Sequence, residues 1–319
     1  MLEDIPAINL VANCTARKTS PPDPGACLRS IAAKSEQERL NNWLLRLAGL
    51  NNDARHLASD LYCGDGWQCI RSAVAKFQKH HAINLWVASA GYGLLSSRDL
   101  VVPYSATFSA GQGDSVSSDR NPASNQRWWN GLTTRKAYMS RPVVSVSELA
   151  QVYPDIPLLV GVSPDYLWAM MPDLLAASKS LSDTNLLVIV SAGAKAAGEL
   201  TPFLLPCDAR LEHQLGGARA SLNARIVGYI LNKFDTEEMR MPTLRKHFTD
   251  ILARAPAPRT YERKKMNEIQ VETFIRESLK KEPGVSFNAL LRRLRDAGMA
   301  CEYKRFRELF RSITPPAAS

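Results

Sequence analysis

Four stretches of the chain are apolar at nearly every position: "PAINLVANCT" (6–15), "AINLWVASAGYG" (82–93), "PLLVGVSPD" (157–165) and "NLLVIVSAG" (185–193). Runs of Val, Ile and Leu this short suit strands buried on both faces. Between them the apolar residues recur with helical spacing. Ser35-x-x-Glu38 reads as a capping box before Leu40, Trp43, Leu44 and Leu47, and Ile70, Ala73, Val74 and Phe77 repeat the pattern after "LYCGDGW". Residues 164–181 turn Tyr166, Leu167, Met170, Met171 and Leu174 to one side, and Leu222, Ile226, Tyr229 and Ile230 follow Gly216-Gly217. Strands alternating with helices predict an α/β fold, three layers around a mostly parallel sheet.

Each apolar run ends on a small or hydroxyl-bearing residue before a turn. In parallel sheets ligands bind beyond the carboxyl ends of the strands. The pattern therefore places Asn13, Cys14 and Thr15, then Ser89, Gly91 and Tyr92, then Ser163 and Asp165, then Ser191 and Gly193, along one rim. Lys18 follows the first strand closely enough to meet an anion there. The turn at Gly216-Gly217 leads into a helix with Ser221 as its cap and Arg219 and Arg225 alongside, a second expected anion site. Neither stretch has the Gly spacing of a nucleotide-cofactor loop.

The stretch 94–142 is rich in Gly, Ser, Asn and Gln with weak periodicity and reads as a long loop. It carries Arg127-Trp128-Trp129, with Arg135 and Lys136 nearby. Adjacent tryptophans on a strand cannot both point inward, so one is expected to be exposed, where it would stack on or wedge between bases. The alternative is a pair of tryptophans packed over their own loop.

Composition adds a second unit. The Pro-bearing "RAPAPRTYERKK" (254–265) reads as a linker between a body at 1–253 and a small domain at 266–319. From Arg259 onward 14 Lys or Arg face 8 Asp or Glu, so +6 of the chain's net +9 lies in its last fifth. Three helical patterns follow. Lys304, Arg305, Arg307 and Arg311 sit opposite the apolar stripe of the third, which suits a helix-turn-helix or winged-helix module on DNA. The six cysteines form no CxxC pair, and Cys207 in "PCDAR" lacks the second Cys of a zinc deaminase, so no metal and no cofactor are expected. No apolar run approaches a membrane span and no leader is recognisable, which predicts a cytoplasmic, monomeric protein with reduced thiols.

"NCTARK" after the first strand, "LYCGDGW" at a helix start, and "SAGYGLL" followed by "VVPY" together resemble a bacterial family related to the uracil-DNA-glycosylase-like fold and to the archaeosine tRNA-modifying enzymes. The resemblance spans roughly residues 6–232. Within that group the chain is similar to antiphage DNA glycosylases that remove glucosylated hydroxymethylcytosine. The resemblance implies an α/β glycosylase body that binds an extruded nucleotide at the strand ends. It departs at one place: the pattern often has Asp after Pro-Tyr, and here Ser105 follows Tyr104. That weakens the transfer of an acidic role to this position.

The chemistry of such a reaction names the residue types needed. Cleaving an N-glycosidic bond passes through an oxocarbenium-like sugar, which calls for a carboxylate, donors to the departing base and cations on the flanking phosphates. Asp208, beside the Gly-Gly-Arg turn, is the first candidate carboxylate and Asp114 the second; Asp65 and Asp165 also lie in loops. Tyr92 and Tyr104 would stack on or bond the base, Asn13 or Asn223 would read its polar edge, and Lys18, Arg219 and Arg225 would hold phosphate. Double-stranded phage DNA is the expected partner. Two other readings compete: a base-exchanging transglycosylase acting on tRNA or nucleotides, and a DNA-binding regulator whose α/β body senses a small ligand.

Overall fold

The computed structural model describes residues 7–50, 55–117, 121–134, 141–194, 198–258 and 262–314. They fall into two compact units, Met1–Pro258 and Arg259–Ser319. The first is α/β around a mixed, mostly parallel five-stranded sheet. Its strands are β1 (Ala7–Asn13), β2 (Ala82–Ser89), β3 (Gly93–Ser96), β4 (Leu158–Gly161) and β5 (Leu187–Val190), in the order β3-β2-β1-β4-β5. All neighbours are parallel except β3, which turns back on β2 as a hairpin through Gly93 at φ +73°. All four residues of β4 and of β5 are buried, which is what their unbroken apolar sequence requires.

Two groups of helices cover the sheet. α2 (Asp65–Phe77) packs on α6 (Leu222–Lys233), which lies against β4 where Gly161 leaves room for Val227. α3 (Pro122–Thr134) and α4 (Val146–Val152) both pack on α5 (Pro164–Ser180), and α1 (Glu36–Ala48) joins α3. α7 (Met241–Arg254) follows α6. Ser35 caps α1 by accepting from Glu38 N at 3.2 Å. The Glu38 carboxylate returns to Lys34 N at 2.8 Å, one residue earlier than a regular capping box.

The stretch 94–142 is not one long loop. It holds β3, a two-residue strand Leu100–Val101 paired with His56–Leu57, and the 13-residue helix α3. The inward stripe of α3 includes Ser124, Asn125 and Thr133 beside Trp128, Trp129 and Leu132, so its polar members hide the helical period. Pro122 stands at its first turn, where a missing N–H costs nothing, and Asn121 Oδ1 accepts from Ala123 N at 3.0 Å.

The second unit is three helices, α8 (Glu268–Lys281), α9 (Phe287–Asp296) and α10 (Tyr303–Ile313), around Val271, Ile275, Leu290, Leu291, Leu294 and Phe306. Lys264–Lys265, inside the stretch that reads as a linker, and Met299–Ala300, between α9 and α10, add a two-stranded parallel pair. Arg307 and Arg311 are exposed on α10, and Arg305 Nη2 lies 3.8 Å from Glu268 Oε2.

Candidate active site

The chain leaves β1 for β2 on one side and places β4 on the other, so the topological switch lies at the carboxyl end of β1. Cys14 extends that strand, its N–H donating to Ala88 O at 2.8 Å. Its buried thiol lies 3.0 Å from Tyr166 Oη and 3.4 Å from Tyr104 Oη. Tyr104 also meets Ser89 Oγ at 2.6 Å and Tyr62 Oη at 3.1 Å. Burial pushes the phenols of Tyr62, Tyr104 and Tyr166 well above their ordinary range, so all three stay neutral. Gly91 is required here. A Cβ at that position would collide with the Tyr104 ring, and Gly91 O accepts the Trp43 indole N–H at 2.8 Å.

Lys18 closes this cluster on its outer side. Its Nζ stands 4.4 Å from the centroid of Tyr104 and 5.8 Å from that of Tyr62, a cation over two aromatic faces. Burial lowers the Lys18 pKa against the opposing pull of Cys14 and Asp114. Its one hydrogen bond among the described residues is to Thr15 O at 3.5 Å. Asp114 supplies the negative charge. It is 5% exposed, accepts from Arg29 N at 2.8 Å and from Ser105 Oγ at 2.7 Å, and is ion-paired with the Arg29 guanidinium. Burial raises its carboxyl, but the Arg29 and Ser105 hydrogen bonds outweigh that and hold it below the usual carboxylate range. Nearby, Ser109 Oγ donates to Asp165 at 2.7 Å.

Cys14, Thr15, Lys18, Ser89, Tyr104 and Asp114 thus come together; several other residues expected at the site have different employment. Asn13 Oδ1 accepts from Ser163 N at 3.0 Å and its Nδ2 donates to Cys14 O at 2.9 Å, tying the ends of β1 and β4. Asn223 does the same for β4 and β5, accepting from Ala192 N at 2.7 Å and donating to Val162 O at 3.0 Å. Thr15 meets the cluster only through its carbonyl, which accepts from Lys18, while its Oγ1 is spent on Arg17 O and Cys63 O. Tyr92 turns away, its hydroxyl donating to Val102 O at 3.2 Å.

Asp208 stands apart from the cluster. It caps the one-turn helix Ala209–Leu211 and pairs with Arg210 at 2.7 Å. The Gly-Gly turn is filled from within: Arg219 pairs with Glu212, and Arg225 folds over Gly217 to reach Asp65 at 2.9 Å. Ser221 does not cap α6, since its hydroxyl donates to Ala218 O at 2.9 Å. Neither tryptophan is exposed. Trp128 is 4% and Trp129 1% accessible, with indole N–H groups on Ala90 O at 2.8 Å and Asp173 Oδ2 at 2.9 Å. Arg135, Lys136 and the Lys304 side chain lie outside the described residues.

A cavity of about 560 Å³ has none of the strand-end residues in its lining. It lies beside the start of α1, walled by Arg39, Arg127 and Trp128. Arg29, Tyr62 and Tyr166 were not singled out as site residues by the sequence. Tyr62 at least falls in the "LYCGDGW" motif, whereas Arg29 sits in an unremarkable turn.

Among the described residues no cluster of His, Cys, Asp or Glu is placed to hold a metal ion, and no helix is long and apolar enough to cross a membrane. Compared with protein-family models, curated proteins and solved structures, the chain matches none.

Proposed function

We propose that the first unit is a DNA glycosylase of the uracil-DNA-glycosylase-like kind that excises a modified base, and that the second unit holds the duplex. The observation that carries this reading is Lys18 standing over the Tyr104 and Tyr62 rings at the switch point of the sheet, with the carboxylate of Asp114, held by Arg29 and Ser105, close enough to favour its charge. Breaking an N-glycosidic bond separates charge: the base leaves with the bonding electrons while the sugar becomes cationic. A site therefore gains from one cation beside the base and one carboxylate beside C1′. Lys18, held on the phenol faces, suits the departing base, and the ionised Asp114 suits the sugar. Water then adds to C1′ and releases its proton to solvent.

The missing acid after Pro-Tyr also finds an account. Ser105 binds the carboxylate of Asp114, so an acidic group stands next to position 105 although the residue itself is neutral. Glucosylated hydroxymethylcytosine is the base that the resemblance favours. In the second unit, three helices with exposed Arg307 and Arg311 suit a helix-turn-helix role on the phosphate backbone.

The test is base release without any added acceptor base. Full-length protein is incubated with phage DNA carrying the glucosylated base and with unmodified DNA, and abasic sites are scored by alkaline cleavage. Release from modified DNA is expected. Asp114→Asn should bind the DNA as before and release base about a hundredfold more slowly, the usual scale of an electrostatic contribution made in the transition state. Release only when a free base is supplied would make the protein a transglycosylase. No release from any DNA would leave the regulator reading.

A further inference from the structure

Beyond the Tyr92 ring lies a separate cavity of about 380 Å³. Tyr92 packs edge-on against Tyr104 with centroids 5.0 Å apart, so this phenol pair stands between the cavity and Lys18. Three arginines line it, Arg55, Arg98 and Arg141, against one carboxylate, Asp99; Leu44 and Leu47 form its apolar wall.

The three cations differ in how they are held. Arg141 is pinned: its guanidinium donates to Leu94 O at 2.9 Å and Tyr92 O at 3.4 Å and lies 3.6 Å from Asp99 Oδ2. Asp99 is itself fixed by Ser96 N at 2.9 Å. Arg55 and Arg98 are exposed, and among the described residues no carboxylate lies within ion-pair distance of either. Tyr92 cannot balance them, because burial pushes its phenol up to about 12. The walls thus carry a surplus of two positive charges around a concavity with an apolar side. Like charges gathered without a counter-ion are unfavourable, and an arriving anion relieves them. Arginine's planar fork matches phosphate oxygens two at a time. The volume falls in the range of small-molecule sites.

We propose that this cavity binds a phosphate ester carried on a planar or apolar body, a nucleotide either free or within a nucleic-acid strand. Arg55 and Arg98 take the phosphate, Arg141 supplies fixed charge behind them, and the leucine wall takes the body. This assignment stands whether or not the strand-end cluster excises bases.

The probes are inorganic phosphate, a free 5′-mononucleotide (dCMP) and a short single-stranded oligonucleotide, each titrated calorimetrically into the full chain. The test variant is Arg55→Gln/Arg98→Gln, which touches only exposed side chains. Lys76→Gln/Lys79→Gln, two exposed lysines on and just after α2, makes the same change in net charge elsewhere. The mononucleotide should bind more tightly than inorganic phosphate. The arginine variant should weaken nucleotide or oligonucleotide binding at least about tenfold at unchanged Tm, as loss of charge-assisted bonds to phosphate would. The lysine control should not. Loss confined to the oligonucleotide identifies a strand as the source of the phosphate; loss with dCMP identifies a free nucleotide. Unchanged affinity for both in the arginine variant, an equal loss in the lysine control, or no binding of either probe overturns the assignment.

Discussion

Burial disfavours the charged form of Lys18, and that sets its contribution to stability. Its pKa is lower in the folded chain than in the unfolded one, chiefly through desolvation. Between the two values the unfolded chain binds more protons, so stability rises with pH across that window, which ends near the ordinary lysine value of about 10.4. Below the folded pKa the charge works against the fold. Lys18→Met keeps the stem and removes the charge. It should therefore melt at an equal or higher Tm than the parent at neutral pH, with the gap closing as pH climbs through the window, and it should release base more slowly. Thermal melts at pH 7 and pH 10 beside an abasic-site assay check both halves. A lower Tm at neutral pH would mean that the contacts with Tyr104 and Tyr62 outweigh desolvation.

The tryptophan pair shows what depends on the element rather than on the residue. Neighbours on a strand face opposite ways, but on a helix they stand about 100° apart and can flank one buried stripe. Trp128 and Trp129 do so on α3. Their replacement by Ala should act through packing: each truncation should cost about 3–5 kcal/mol, read by urea unfolding, with losses alike on paired and single-stranded substrate. The same contrast explains which elements the sequence discloses. β1, β2, β4 and β5 fall inside the four apolar runs, which a buried polar residue such as Asn9 does not break: its Oδ1 accepts from Asn84 Nδ2 at 3.2 Å and from Trp86 Nε1 at 3.4 Å. α3 carries polar residues on its buried side, where Ser124 Oγ donates to Glu36 at 2.5 Å and Asn125 Nδ2 to Phe108 O at 3.3 Å, partners outside the helix.

Across the whole molecule, charge is divided between two units of unequal size. Removing Arg259–Ser319 should leave the first unit folded, weaken duplex binding and flatten its salt dependence, because each lost phosphate contact removes a released counter-ion. Binding isotherms at two or three salt concentrations measure this directly; unchanged slopes would exclude the second unit as the DNA-holding module. At this scale the sequence places the strand ends, since they can be read from apolar runs. It does not show which side chains converge there. Tyr62 comes from one loop and Tyr104, Ser105 and Asp114 from another, and the meeting of the two loops is set by tertiary hydrogen bonds rather than by any local pattern. Asp208 and the Gly-Gly turn look site-like in sequence because capping and ion pairing use the same residues as catalysis.

The strand order also bears on how the chain is made. β1 occupies the centre of the sheet yet precedes every strand that flanks it. At a synthesis rate of about 5–20 residues per second, the roughly 70 residues between β2 and β4 leave its second edge open for several seconds on the ribosome. During that interval Leu10 and Val11 have no β4 beside them. Nascent chains halted within it present a bare apolar edge, and this is the length at which a chaperone has most to shield.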